Sequence, residues 1–238
     1  MESTRLDAIL ERGVIHVGTT GDYQPFSFLN PETGQFEGYD IDAARNLGEA
    51  LGVEVRFVET TWKTLVPGIL EGKYDIAMCG ITRTPARLKR VGLSDSYFAV
   101  GKSPLVRKAD RERFRMLVDI DHPGVKIGVN PGGTNERFVR ANITRAQIVV
   151  IPDNLEIPYK IITGEVDVMI TDNVEAMLVA RDRPELYAVS PEHTFTNDEF
   201  GYMVPIEAVS LLNRINLWIR QMKQTGQFTR LKEKWIGE

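Results

Sequence analysis

One short pattern occurs twice in this chain and restricts its fold more than any other feature. Gly72-Lys73-Tyr74-Asp75-Ile76-Ala77-Met78 is echoed by Gly164-Glu165-Val166-Asp167-Val168-Met169-Ile170. Each copy reads as a helix stopped by glycine, then an aspartate, then a short apolar strand. A polar turn follows each, at 80–84 and at 171–173. A helix feeding a buried apolar strand is the connection of a parallel sheet with crossover helices. Two copies therefore predict two similar α/β lobes, and 238 residues are enough for both.

The segments around each copy agree. A short helix over 7–11 stops at Gly13, and 14–18 is a β-rich run. A helix over 41–51 follows, with Asp40 placed to cap it and Gly52 to end it. A strand over 53–58, a helix over 62–71 and a strand over 75–78 complete one set. The order returns with strands at 125–129, 148–151 and 166–170, and helices from Asn135, over 155–163 and over 173–181. The tail is helical again over 206–225 and 228–235, with Gly226 between them. The β-rich stretches 96–108 and 197–204 are the expected crossings between lobes.

Composition excludes several functions. A formal net charge of -4 gives no reason to expect nucleic acid or an anionic membrane surface as partner. No apolar run approaches the roughly 20 residues needed to cross a bilayer, so no membrane insertion is expected. The start lacks the basic and apolar regions of a secretory signal, so it reads as cytoplasmic or as a mature sequence with an added methionine. The single cysteine, Cys79, excludes an internal disulfide. With His16, His122 and His193 scattered, no metal site is predicted. Nucleotide-binding glycine motifs and a G-x-S-x-G turn are missing, and no cofactor is expected.

In open α/β sheets, ligands sit beyond the carboxyl ends of the strands. Three such ends stand out, at 20–26, 80–87 and 130–136. In the last, Gly132 and Gly133 turn the chain into a helix whose first N–H groups favour a carboxylate.

Gly38-Tyr39-Asp40-Ile41-Asp42, Asp75-Ile76-Ala77-Met78, Thr84-Pro85-Ala86-Arg87, Gly133-Thr134 and the 226–235 tail resemble the amino-acid-binding branch of the bacterial solute-binding proteins. The resemblance spans nearly the whole chain. It implies an α/β, two-lobed periplasmic-binding-protein type II fold with a two-strand hinge, closing on a small carboxylate-bearing molecule. Residues 1–99 and 202–238 would form the larger lobe and 107–197 the smaller, with hinge segments at 100–106 and 198–201. A periplasmic location is implied too. Arg87 would fork onto the ligand carboxylate with Thr82 beside it, since a planar guanidinium suits a bidentate contact. Thr134 would help from the second lobe, Asp172 would face an α-ammonium, and Tyr23 and Trp62 would supply aromatic walls.

A narrower resemblance adds chemistry. Thr19-Thr20-Gly21-Asp22-Tyr23, Gly101-Lys102-Ser103-Pro104, the 130–136 segment and Thr171-Asp172-Asn173-Val174-Glu175-Ala176 look like cyclohexadienyl dehydratases. Residues 79–89 are closer to the ordinary binding proteins. Those enzymes share the fold and convert prephenate to phenylpyruvate, and arogenate to phenylalanine, losing water and carbon dioxide. The resemblance implies that Glu175 is the general acid protonating the departing hydroxyl in the interlobe cleft. Glu175 lies one helical turn after Asp172, so both can share a face. Closure over an apolar ring would raise its pKa, and a direct contact with Lys102 would oppose that rise. Lys102 is the second candidate catalytic residue, or it holds a substrate carboxylate with Arg87 and Asn130. Gly133, Asn135 and Asp22 complete the expected contacts. The competing reading is a non-catalytic binding protein for an amino acid, cationic ones included, serving a membrane transporter. Arg87, Thr82 and Thr134 suit both readings; Glu175 and Lys102 separate them.

Overall fold

The computed structural model describes residues 3–237. The chain divides into two units: Met1–Ala99 with Glu199–Glu238, and Val100–Asp198. It passes twice from one to the other.

The first unit is built on a five-stranded sheet in the order Glu54–Glu59, Val14–Thr19, Ile76–Ala77, Met203–Val204, Gly92–Leu93. The first three strands run parallel, and Met203 pairs antiparallel with both Ala77 and Leu93. Helix Tyr39–Leu51 buries Ile41, Ala44, Leu47 and Gly48, a spacing that puts them on one face. It begins at Gly38, whose φ of 134° no other residue adopts easily, and ends at Gly52 in the left-handed region. A Cβ at Gly38 would also meet the Phe26 carbonyl oxygen at 2.5 Å. Asp40 therefore does not cap this helix, as its sequence position suggested. It lies within the first turn and is fully buried.

The second unit has a sheet of matching order: Gln147–Val150, Lys126–Val129, Val168–Asp172, Lys102–Arg107, Leu186–Ala188. Again the first three are parallel and the fourth antiparallel. Segment 100–106, expected as a hinge, thus lies mostly in a strand inside this sheet. Alternation along the strands fills a core on each face. Val106, Ile127, Val168 and Ile170 join Phe114 and Val139 in one cluster. Leu105 and Met169 join Ile157, Ile161 and Val166 in the other. A sheet covered on both faces explains the unbroken apolar run 168–170. Each fully buried aliphatic side chain contributes roughly 1.5–3 kcal/mol.

The repeated pattern has the same job in both units. The Asp75 carboxylate accepts the His16 N–H at 2.8 Å, while its own N–H donates to the His16 carbonyl at 2.9 Å. The Asp167 carboxylate accepts the Lys126 N–H at 2.9 Å, and its N–H donates to the Lys126 carbonyl at 2.8 Å. Each aspartate so ties its own strand to the neighbouring parallel strand. An arginine covers each: Arg12 lies 2.5 Å from Asp75, and Arg107 lies 2.7 Å from Asp167. Registers match too, with Gly18 opposite Ala77 and Gly128 opposite Met169.

Candidate functional site

In the second unit, the carboxyl ends of three strands bring a polar group of residues together. Lys102 opens strand Lys102–Arg107, and Asp172 closes the antiparallel strand beside it, directly opposite in register. Lys102 is 2% exposed, and its ammonium donates to Asp172 Oδ1 at 2.8 Å, Asn135 Oδ1 at 2.6 Å and Thr134 Oγ1 at 3.2 Å. An ammonium has three N–H donors, and here three acceptors of the chain engage them. Asp172, expected to face a ligand's ammonium, also meets the ammonium of Lys102 through Oδ1.

Thr134 and Asn135 come from the start of helix Thr134–Asn142, with Gly133 at its cap. The N–H of Gly132 is held by the Glu136 carboxylate at 2.7 Å. Asn130 follows the end of strand Lys126–Val129 and is 4% exposed. Glu175 sits in the first turn of helix Asn173–Asp182, also 4% exposed. Its carboxylate accepts from the Thr171 hydroxyl and, at 2.8 Å, from the Asn154 amide. Thr171 accepts in turn from the Asn135 amide at 3.0 Å. Five of the predicted residues, Lys102, Thr134, Asn135, Asp172 and Glu175, thus join one hydrogen-bonded group.

In the first unit, Thr84 caps helix Pro85–Leu88, its hydroxyl accepting the Arg87 N–H at 3.2 Å. This places Arg87 with 4% exposure, its guanidinium donating to the Thr82 carbonyl at 2.6 Å. Arg87 is therefore not one more surface arginine beside Lys89 and Arg90, which are exposed. Thr82 is buried and bridges to Phe200. Asp22 accepts the Trp62 indole N–H at 3.0 Å, and Trp62 meets Tyr23 edge-on, ring centres 5.6 Å apart. Tyr23 itself is almost fully buried, packed so closely on Gly80 that a Cβ there would lie 2.5 Å from the ring.

Sequence reasoning missed what holds this loop. Asp40 accepts the Gly80 N–H at 2.6 Å, the Tyr97 hydroxyl at 2.6 Å and the Tyr202 hydroxyl at 3.2 Å. Burial pushes its carboxyl up to about 7, against the opposing pull of Tyr97, Gly80 and Tyr202. Burial also pushes the Cys79 thiol up, helped by the charges of Asp40 and Asp22. Asn154 and Thr171 were likewise given no role. The only local signal for Asn154 was a polar residue between the apolar Ile151 and Leu155.

Among the described residues, no group of three His, Cys, Asp or Glu side chains could hold a metal ion. No described helix is long and apolar enough to cross a membrane.

Known proteins match this arrangement. The sequence profile of the bacterial extracellular solute-binding proteins, family 3, covers residues 15–238. The chain is 40% identical to the cyclohexadienyl dehydratase of Pseudomonas aeruginosa, over 99% of this chain and 87% of that protein. It is 30% identical to the ABC transporter glutamine-binding protein of Bacillus subtilis, over 98% of this chain and 85% of that one. Among solved structures, an ancestral amino acid-binding protein, a precursor of cyclohexadienyl dehydratase, matches with a TM-score of 0.91 at 38% identity. That match covers 97% of this chain and 99% of the other. The doubled sheet order, the strand-end polar groups and these matches converge on one family: the chain belongs to the bacterial extracellular solute-binding proteins, family 3.

Proposed function

We propose that this protein is a cyclohexadienyl dehydratase, converting prephenate to phenylpyruvate and arogenate to phenylalanine. One observation carries the reading beyond likeness to the Pseudomonas enzyme. Asp172, the carboxylate expected to meet an amino acid's ammonium, is paired with Lys102. A site whose ammonium partner is already engaged suits prephenate, which has no amino group, ahead of arogenate, which has one. Buried Glu175 supplies the other requirement, a proton donor screened from water.

The reaction balances simply. The ring carboxylate leaves as carbon dioxide, and the electrons of its carbon–carbon bond enter the ring. The ring hydroxyl departs with the Glu175 proton as water. Aromatisation drives the step, and protonation removes the need to expel hydroxide. Arg87 takes a substrate carboxylate, with Asn130 as a further polar contact. Lys102 holds Asn135 and Thr134 in place and neutralises Asp172. Tyr23 and Trp62 offer apolar surface to the ring. A periplasmic location accords with the family.

A prephenate turnover assay that follows phenylpyruvate tests the reading, with Glu175→Gln as control. The expected result is turnover in the parent and a loss of roughly 10²–10⁴-fold in the variant. Equal rates in the two proteins remove Glu175 as the acid. The second reading is an amino-acid carrier for a membrane transporter, favoured by the glutamine-binding relative. Absence of turnover together with tight binding of an amino acid decides for it.

A further inference from the structure

The bonds between Lys102 and Glu175 have a direction that chemistry fixes. Lys102 can only donate, so the oxygen of the Asn135 amide must face it, at 2.6 Å. The Asn135 nitrogen then faces Thr171 and donates to its oxygen at 3.0 Å. That leaves the single hydroxyl hydrogen of Thr171 for Glu175 Oε2. On the other carboxylate oxygen, the Asn154 amide donates at 2.8 Å. Lys102, Asn135, Thr171, Asn154 and Glu175 are each at most 9% exposed. Both oxygens of Glu175 therefore receive a hydrogen from a buried neutral donor. One of those donors, Thr171, is aligned by a cation two hydrogen bonds away.

We propose that Thr171 and Asn154 are positioning residues that fix the Glu175 carboxylate and govern how tightly it holds a proton. The role of Glu175 as acid rests on the dehydratase reading; the proposal about its neighbours does not. Donors to a carboxylate favour its ionised form, whereas burial favours the protonated one. Thr171 and Asn154 thus act on this carboxyl in the sense opposite to burial. Other charges near this helix are accounted for. On the strands packed against it, Lys102 pairs with Asp172, and Arg107 pairs with Asp110 and Asp167. Tyr187 on strand Leu186–Ala188 is 40% exposed. Asp153, beside Asn154, caps the 3-10 turn through the Leu155 N–H, and Glu156 ends that turn.

The test is a carbon-13 NMR titration of the full chain labelled at glutamate Cδ, with the Glu175 signal assigned by its loss in Glu175→Gln. Thr171→Val and Asn154→Ala should each raise the midpoint by about one pH unit, the scale of one hydrogen bond to a charged group. Thr171→Ser, which keeps the hydroxyl, should return it to the parent value. Where the protein turns over prephenate, the alkaline fall of kcat should move up by the same amount, because the protonated acid then persists to higher pH. Unchanged midpoints in folded Thr171→Val and Asn154→Ala overturn the proposal, as does a Thr171→Ser shift equal to that of valine. The titration needs no turnover. A moved midpoint in a protein inactive on prephenate upholds this inference while removing the dehydratase reading.

Discussion

Each unit buries a carboxylate near the end of its sheet, and the two solve the problem of burial differently. In the first, Asp40 is fully buried among neutral donors: two phenol hydroxyls and one backbone N–H. In the second, Asp172 is 3% exposed and meets the Lys102 ammonium at 2.8 Å. Both stand on the same scaffold, down to the aspartate that ties adjacent parallel strands. The difference shows that the sheet does not dictate the electrostatics. Neutral donors leave a carboxylate that can exchange its proton near neutral pH. An ammonium leaves a pair whose members depend on each other.

The largest expected effect comes from breaking that pair. Lys102→Met strands Asp172 in a buried position, and loss of one partner typically costs about 3–5 kcal/mol. Urea unfolding measures it. The double variant Lys102→Met, Asp172→Asn should regain most of the loss, and failure to do so would show that Lys102 matters chiefly through Asn135 and Thr134.

The next effect belongs to Asp40. Its folded pKa of about 7 lies above the ordinary carboxylate value, so its contribution is full below about pH 4 and is lost as pH rises through 7. From pH 5 to 8 the parent should lose roughly 2–3 kcal/mol that Asp40→Asn does not lose. Parallel stability–pH curves for the two proteins would mean that Asp40 keeps one charge state throughout.

The smallest effect tests the shared scaffold. Asp75→Asn and Asp167→Asn each weaken a hydrogen bond to a charged group, and each should cost about 1.5–3 kcal/mol in thermal or urea unfolding. The Asp75 loss should be the greater. That carboxyl is 3% exposed and meets both Arg5 and Arg12, whereas Asp167 is 18% exposed. Equal losses would mean that the backbone contact alone matters.

Much of the scaffold was legible because it is local. Glycine stops, apolar runs and the Gly-x-x-Asp echo act within a few residues, and they gave two α/β sets in the right order. Their ends shifted where tertiary contacts decided them. Helix 62–71 shortened to Leu65–Leu70, leaving Trp62 before it to reach Asp22, 40 positions away. The site was legible in membership more than in wiring. Asp40 looked like a helix cap because its partners, Tyr97 and Tyr202, lie 57 and 162 positions along the chain. Lys102 looked available to a ligand because Asp172 is 70 positions away, and only the sheet register sets them opposite. Asn154 carried no periodic or motif signal at all.

The amide in the middle of the path from Lys102 to Glu175 has one more consequence. A proton wire needs links that can both take up and release a proton, as water and hydroxyls do. Asn135 cannot do so near neutral pH. The path therefore transmits polarisation and insulates against conduction. On the proposed dehydratase reading, a proton that leaves Glu175 is not replaced from Lys102 by this route, and the carboxyl is recharged from another direction.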